Sequence, residues 1–224
     1  MLIKYKGAPP SLPILRVPGW GGDRTDNKYQ PWHIAQFADA ATAGIELNYS
    51  FEDTSFAKNA PAPFKQISEI FYMLELDPIV VPENHSLLIV PHYRFYTDVN
   101  WNAPIPVMSS LETDWWPGKL SVIFRYAPPG CETVFCNSEP FAQAYVVPRI
   151  EIKLAELVGP ELNRKEEAKL YIEDNKEKFI TREWTTSSGV VQDNLYNVLS
   201  NLEKINKLPT EIKYRSKKKV FYIK

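Results

Sequence analysis

The chain has 224 residues, of which 44% are apolar and 24% are charged, and its formal net charge is −1. These values are typical of one globular domain, or of one domain with an appendage, and they exclude the strong basic field of a nucleic-acid or anionic-membrane binder. No apolar run reaches the roughly 18 residues of a membrane span, and the N-terminus lacks the apolar core of a signal peptide, so we expect a cytoplasmic protein.

The first half of the chain predicts short strands joined by turns, because prolines and aromatic residues are frequent there. Residues 2–6 and 14–17 read as edge strands around a glycine turn at 18–23, and residues 32–42 read as a short helix. Ile45, Leu47, Tyr49 and Phe51 alternate with polar residues, which predicts a half-buried strand. A loop follows at 57–64, and the pattern at 66–76 fits either a helix or a strand.

Apolar runs bounded by Pro, Gly or Asn predict strands at 79–81, 87–90, 120–126, 133–136 and 141–147. Between them, residues 93–108 predict strand pieces at best. Cys131 and Cys136 are separated by four residues, which suits neither a redox pair nor a four-cysteine zinc site. They are interpreted as two small residues on a hairpin.

The C-terminal third predicts helices. Residues 161–179 are rich in Lys and Glu and read as an exposed helix with charged pairs such as Asp174 with Lys178. A second helix is indicated by an apolar stripe that packs on the sheet or forms a dimer interface, with Ser187 or Ser188 as its cap: Val191, Leu195, Val198, Leu202 and Ile205. Residues 211–224 predict a terminal hairpin whose lysines protect an edge or meet an anionic partner.

Together these patterns predict a mainly β, α+β fold, with an antiparallel β-sandwich or barrel-like core and two C-terminal helices. The predicted domains are a β-rich core at 1–155 and a helical C-terminal extension at 156–224, which ends in the hairpin and packs on the core.

Several short motifs carry a family resemblance. They are Ser86-Leu87-Leu88-Ile89, Glu112-Thr113-Asp114-Trp115, Ser138-Glu139-Pro140-Phe141 and Val146-Val147-Pro148, with the strand 120–126 between the second and third. The stretch 82–148 resembles an uncharacterised protein family of bacteria and phages. That family usually has Gly at the position of Ser138. The resemblance implies a compact β-sheet core with C-terminal helices and no known activity.

The histidines argue against the common metal-dependent β-fold enzymes. The three of them, His33, His85 and His92, include no His-x-Asp or His-x-Glu motif, and none lies after residue 92 to complete a metal triad. His85 and His92 remain weak metal candidates if they meet across a turn near Asp98 or Glu112. We expect no cofactor, and the chain lacks the GxSxG motif of a serine nucleophile.

Two carboxylate pairs and a group of aromatic residues are the remaining candidates. If Glu112 and Asp114, or Glu75 and Asp77, lie on strands, the members of each pair share a face and can act in acid–base chemistry; otherwise they set turns. Trp115 and Trp116 would point to opposite faces of a regular strand, so that at least one is exposed. Exposed aromatic side chains stack on ligands or anchor protein interfaces.

The sequence therefore favours non-catalytic recognition of a protein partner or a small ligand, with no nucleic acid and no membrane involved. The predicted binding residues are Tyr93, Tyr96, Trp101, Trp115, Trp116, Glu112 and Asp114. One alternative is an enzyme of unrecognised type that uses His92, Asp98, Glu112 or Asp114. Another is a structural or assembly component, such as a phage protein, and a homo-oligomer is compatible with the apolar stripe.

Overall fold

A computed structural model describes residues 1–7, 9–14, 35–96, 102–152, 159–185, 189 and 191–213. The chain divides into two compact units. The first comprises Met1–Pro18 and Ala38–Arg149, and the second comprises Gly19–Phe37 and Ile150–Lys224. The strands predicted at 14–17, the turn at 18–23 and the hairpin at 211–224 fall largely or wholly outside the described residues.

The fold is mainly β, as the sequence predicts. The strands are β1 (Lys4–Tyr5), β2 (Ile45–Asn48), β3 (Thr54–Phe56), β4 (Lys65–Gln66), β5 (Phe71–Leu76), β6 (Ile79–Val80), β7 (His85–Pro91), β8 (Ile105–Pro106), β9 (Ser109–Leu111), β10 (Leu120–Arg125), β11 (Thr133–Phe135), β12 (Pro140–Pro148), β13 (Glu183–Thr185) and β14 (Val191–Asp193). The helices are α1 (Ala35–Ala41), α2 (Pro160–Asp174), α3 (Lys176–Phe179) and α4 (Leu195–Lys204), and Tyr93–Tyr96 form a 3-10 turn.

Two four-stranded antiparallel sheets make up most of the first unit. One has the order β4-β5-β10-β8 and the other has the order β2-β12-β7-β9. The pairs β1–β6 and β3–β11 are also antiparallel, as is β13–β14 in the second unit. Inner-face residues of both sheets join a single hydrophobic core. This arrangement is the antiparallel sandwich that short, alternating strands favour.

The core is unusually aromatic. Along β10, Leu120, Val122 and Phe124 are buried while the residues between them are less so, which is the period-two pattern of a strand with one inner face. Phe124 stacks on Tyr72 of β5 with ring centroids 5.3 Å apart. Further rings pack around these two in tilted and edge-to-face contacts: Tyr49, Phe56, Phe64, Tyr126, Phe135 and Phe141.

The segment 66–76, for which the sequence left a helix and a strand open, is a hairpin of β4 and β5. Its register is fixed by pairing with β10, in which Leu74 lies opposite Val122. Tyr72 and Leu74 are fully buried, whereas Phe71 and Met73 are half-buried. Because β5 pairs with β10 and buries alternate residues, the segment forms a strand and not a helix.

Strand β2 differs from the prediction of a half-buried strand. Ile45 and Leu47 face the core as expected, but Glu46 between them has no exposed surface. Opposite Glu46 on β12 lies Gln143, whose amide donates to the carbonyls of Ala40, Ala41 and Ala43 at the end of α1. The second face of this sheet is covered as well, so the half-buried interpretation is wrong there.

The second unit contains the predicted helices with different limits. The expected helix at 161–179 is interrupted at Asn175, which caps α2, and Lys178 donates to Asn175 rather than pairing with Asp174. The stripe helix begins at Leu195, because Asp193 accepts the Leu195 amide N–H and Asn194 binds the backbone of residues 181 and 182. Val191 therefore lies in β14, which corrects the predicted stripe.

None of the described helices combines the length and the apolar character that a bilayer crossing requires.

Candidate functional site

The segment between β9 and β10 holds four of the predicted binding residues, and it is a turn rather than a strand. The backbone N–H groups of Trp115 and Trp116 both donate to the carbonyl oxygen of Glu112, at 3.4 and 3.1 Å. A turn does not place alternate residues on one face. Of the two alternatives for Glu112 and Asp114, the turn is therefore the correct one, and the shared strand face is not formed. The regular strand that would point the two tryptophans to opposite faces is absent from this described segment.

Asp114 ties this turn to the sheet. Its carboxylate accepts two hydrogen bonds from the Arg149 guanidinium, at 2.9 and 2.5 Å, and one from the Asn84 backbone N–H at 3.0 Å. Arg149 also donates to the carbonyl of His85. The Arg149 side chain therefore holds the pKa of Asp114 below its usual range, although burial opposes the shift. Asp114 is 7% exposed and faces the protein.

The two indole rings stand on this anchored turn. Trp115 is 63% exposed and Trp116 is 45% exposed, with ring centroids 6.0 Å apart and planes at 90°. The Trp115 Nε1–H donates to Glu112 Oε2 at 2.6 Å, and the Trp116 Nε1–H points to the Lys119 carbonyl at 3.4 Å. We call Trp115, Trp116 and Glu112 together the tryptophan surface.

Trp116 lies over the backbone of Gly118. A Cβ added to Gly118 would come within 2.7 Å of the Trp116 indole nitrogen and 2.8 Å of two ring carbons. Only a residue without a side chain allows such an approach without moving the ring. The sequence signal for this contact is the Trp116-Pro117-Gly118 order, because Pro followed by Gly is typical of a turn.

The other predicted aromatic residues do not extend this surface among the residues that are described. Tyr93 is 4% exposed, and its hydroxyl donates to the Ile14 carbonyl at 2.7 Å. Tyr93 is thus packed inside and does not belong to the exposed tryptophan surface. Tyr96 ends the 3-10 turn at 93–96, while its side chain and the whole of Trp101 and Asp98 lie outside the described part of the chain.

His92 is buried against a carboxylate. Its Nε2 lies 3.3 Å from Glu46 Oε1, and its Nδ1 accepts the Arg94 backbone N–H at 3.2 Å. Because Nδ1 accepts, the ring proton sits on Nε2 and is donated to Glu46. The other carboxylate oxygen of Glu46 accepts the Ser11 hydroxyl at 2.8 Å. Both ring nitrogens are thus engaged in internal hydrogen bonds.

His85 and His92 do not meet across a turn. His85 is the first residue of β7 and His92 follows its last, so about 20 Å of strand separates them at the usual rise per residue. The His85 Nδ1 lies 2.8 Å from the Glu83 carbonyl oxygen. Within the described ranges, no three His, Cys, Asp or Glu side chains are grouped as metal ligands would be.

Three clefts are formed by described residues, two of them in the first unit and one in the second. A cleft of about 480 Å³ is lined by His92, Tyr93, Arg94, Ser138, Glu139 and Pro140. A smaller one of about 190 Å³ includes Lys6, Phe51, Asp77 and Lys119, together with Glu75, whose pKa is lowered by its hydrogen bond to Lys65. The third, of about 530 Å³, lies along residues 176–183. Trp115 and Trp116 line none of these three clefts.

Sequence reasoning did not find Glu46, Ser11 or Arg149 as partners in these networks. Arg149 is 35 positions from Asp114, and Glu46 is 46 positions from His92. Neither pair has a local pattern. Glu46 itself gives no local sign of its burial, because it stands at a polar position of an alternating strand.

No protein family profile matches the chain, and no curated protein matches it. Solved dUTPase structures are similar at low identity. The native dUTPase of EIAV has 11% identity and a TM-score of 0.40, with 71% of this chain and 98% of that chain covered. A mutant dUTPase from phage phi11 of S. aureus has 10% identity and a TM-score of 0.37, with coverages of 72% and 99%. A mutant dUTPase of Staphylococcus bacteriophage 80alpha with dUpNHpp has 12% identity and a TM-score of 0.37, with coverages of 70% and 89%. These likenesses carry no argument about the function of this chain.

Proposed function

We propose that the protein is a non-catalytic recognition module that binds a protein partner through the tryptophan surface. The observation that carries this proposal is the exposure of two adjacent indole rings, at 63% and 45%, on a turn fixed by the Asp114–Arg149 ion pair. Tryptophan is the residue most enriched at energetically dominant positions of protein interfaces. Other exposed rings, such as Tyr5 and Tyr196, stand singly in the sequence, whereas Trp115 and Trp116 are adjacent. Contiguous exposed apolar groups mark interaction sites, while scattered ones do not.

A protein partner is favoured over a small ligand by the shape of the site. Small-molecule sites are concave and bury most of the ligand surface. The tryptophan surface instead stands out on a turn, and neither indole lines the clefts described above. The turn is also held in place before any partner arrives, which reduces the ordering cost of binding.

We also propose that the chain is related to the uncharacterised family of bacteria and phages whose motifs it resembles. Ser138, where that family has Gly, has a φ of 63°. Glycine adopts this left-handed conformation freely, whereas most other residues are strained in it. The backbone at Ser138 thus has the shape that the family's glycine would favour, which supports the resemblance.

The proposal is tested by selecting a displayed library of random peptides on the full chain. The selection is run on the wild type, with counter-selection on the double variant Trp115→Ser/Trp116→Ser. The matched control is Tyr5→Ala, which removes a ring that is 52% exposed on β1. We expect enriched peptides that bind the wild type and the Tyr5 variant but not the double variant. Enrichment of peptides that bind all three proteins equally, or of none, would overturn the proposal.

A further inference from the structure

We infer that the tryptophan surface recognises a cationic side chain, in particular an arginine presented by the protein partner. This inference rests on the proposed function and names the chemistry of the partner at that site. Three features of the described residues carry it: open indole faces, an exposed carboxylate at the ring edge, and an excess of negative charge around the turn.

The indole rings supply the first feature. The face of an aromatic ring is electron-rich, and Trp gives the strongest attraction for an ammonium or a guanidinium group. More than half of the surface of Trp115 is open to solvent. The perpendicular arrangement with Trp116 makes a corner, in which a flat group can lie on one ring and touch the other.

Glu112 supplies the second feature. Its side chain is 50% exposed, and its Oε2 accepts the Trp115 Nε1–H at 2.6 Å, which places the carboxylate at the edge of the ring. Arg149 lies 3.6 Å from the same oxygen, but its two guanidinium nitrogens donate to Asp114 at 2.9 and 2.5 Å. The exposed side of Glu112 is therefore placed to accept hydrogen bonds from a group lying on Trp115.

The charges around the turn supply the third feature. Glu112 and Asp114 lie on the turn itself, and Glu83 is the neighbour of Asn84, whose N–H binds Asp114. Arg149 is the cation among them. The nearby ammonium of Lys119 lies 3.8 Å from Glu75. Glu112 and Asp114 thus face the single guanidinium of Arg149, and this excess of one carboxylate favours a basic partner over an acidic one.

Arginine fits this corner better than lysine. A guanidinium group is planar, so it stacks on an indole face and still directs N–H groups in its plane toward a carboxylate. An ammonium group lacks the flat face, and it is more strongly hydrated. The site therefore combines the two contacts that a single arginine side chain can make at once.

The test uses the full chain labelled with 15N at its tryptophan indoles. The Trp115 and Trp116 signals are assigned with the variants Trp115→Phe and Trp116→Phe. The probe is the capped peptide Gly-Arg-Gly, and its matched control contains citrulline, which has nearly the shape of arginine without the charge. We expect both indole signals to shift with the arginine peptide, and its affinity to exceed that of the citrulline peptide by about fivefold, as an exposed cation–π contact allows.

Two variants separate the specific site from general attraction to an acidic protein. Glu112→Gln is expected to reduce the preference for arginine over citrulline, because the carboxylate contribution is lost while the indole faces remain. Glu69→Gln removes the same charge before Phe71, which pairs with the far end of β10, a strand's length of about 20 Å from Leu120. The Glu69 variant is expected to keep the preference.

The possible failures of the inference and of the proposed function are distinct. If both peptides shift the indole signals equally, the surface binds peptides but does not select a cation; the inference falls and the proposed function stands. If neither peptide shifts them, the inference also falls, and the library selection decides the proposed function. A preference for arginine that is unchanged in Glu112→Gln and disappears in Glu69→Gln contradicts the inference as well.

Discussion

The buried aromatic core and the exposed tryptophan surface use the same class of side chain in opposite ways. Phe124 and Tyr72 stack inside the sandwich with no exposed surface, whereas Trp115 and Trp116 stand in solvent on a turn. The difference lies in the backbone. Alternation along a paired strand turns every second residue inward, while the turn after β9 directs Thr113 and Asp114 inward and leaves the following two tryptophans exposed. Aromatic content therefore does not by itself indicate a binding surface.

The two regions also hold their rings by different forces. In the core, many rings pack against each other, and burial supplies the stabilisation. On the turn, the orientation of the indole rings depends on polar contacts. These are the Asp114–Arg149 ion pair and the hydrogen bond from the Trp115 Nε1–H to Glu112. Substitutions in the core should therefore lower the free energy of unfolding, whereas substitutions of the exposed tryptophans should mainly weaken partner binding.

The largest effect on stability is expected from Phe124→Ala. Phe124 has no exposed surface and contacts rings of both sheets and of β11. Its truncation should leave a cavity and lower the free energy of unfolding by about 3–5 kcal/mol. Urea denaturation at neutral pH measures this value. A loss below about 1 kcal/mol would mean that the aromatic cluster is not the core of the fold.

Asp114→Asn is expected to cost about 2 kcal/mol, because it weakens hydrogen bonds to a charged partner. The pKa of Asp114 is lowered in the folded protein, so its carboxylate contributes stability above the unfolded pKa of about 3.9 and loses it as the pH falls through the lowered folded value. The difference between wild type and variant should be constant from neutral pH to about pH 5 and shrink in acid. A difference that grows in acid would contradict the ion-pair account.

Trp116→Ala is expected to lower the free energy of unfolding by about 1 kcal/mol, and Trp115→Ala by less than about 0.5 kcal/mol. The order follows from their environments, since Trp116 covers Gly118 and is 45% exposed, whereas Trp115 is 63% exposed. Denaturation curves of the two variants measure the order. A large loss in Trp115→Ala would mean that this ring belongs to the core instead of the binding surface.

Gly118→Ala tests how the Trp116 ring packs on the turn without removing the ring. The new Cβ would meet the Trp116 ring at 2.7–2.8 Å, so the indole must move outward. The free energy of unfolding should change by less than about 0.5 kcal/mol, since the moving atoms lie on a half-exposed side chain. The 15N signal of the Trp116 indole should shift, while that of Trp115 shifts less. An unchanged Trp116 signal would contradict the close approach.

Much of the fold was predictable from local patterns. Period-two alternation indicates β10, and apolar runs bounded by Pro or Asn indicate β6 and β7. The turn after Leu111 was predictable only as one of two alternatives, because the Glu-Thr-Asp-Trp-Trp order also fits a strand until the hydrogen bonds to the Glu112 carbonyl are known. Local order cannot show such bonds.

The site was only partly predictable for the same reason. An exposed tryptophan at 115 or 116 was expected, but the role of Asp114 depends on Arg149, and the burial of His92 depends on Glu46. Arg149 directly follows β12 and Glu46 lies on β2, and each reaches its partner only in the folded sheet. Tyr93 shows the limit of grouping aromatic residues by position, since it is near the tryptophans in sequence and packs inside.

The most direct test of the tryptophan surface is the affinity of one selected peptide for two variants, measured by isothermal titration calorimetry. The peptide is the strongest binder from the library selection, and the proteins are wild type, Trp116→Ala and the control Tyr5→Ala. Recognition through the tryptophan surface predicts a loss of about thirtyfold in Trp116→Ala, the effect of an interface hot spot, and no change in Tyr5→Ala. An unchanged affinity in Trp116→Ala, with the variant still folded, would contradict it.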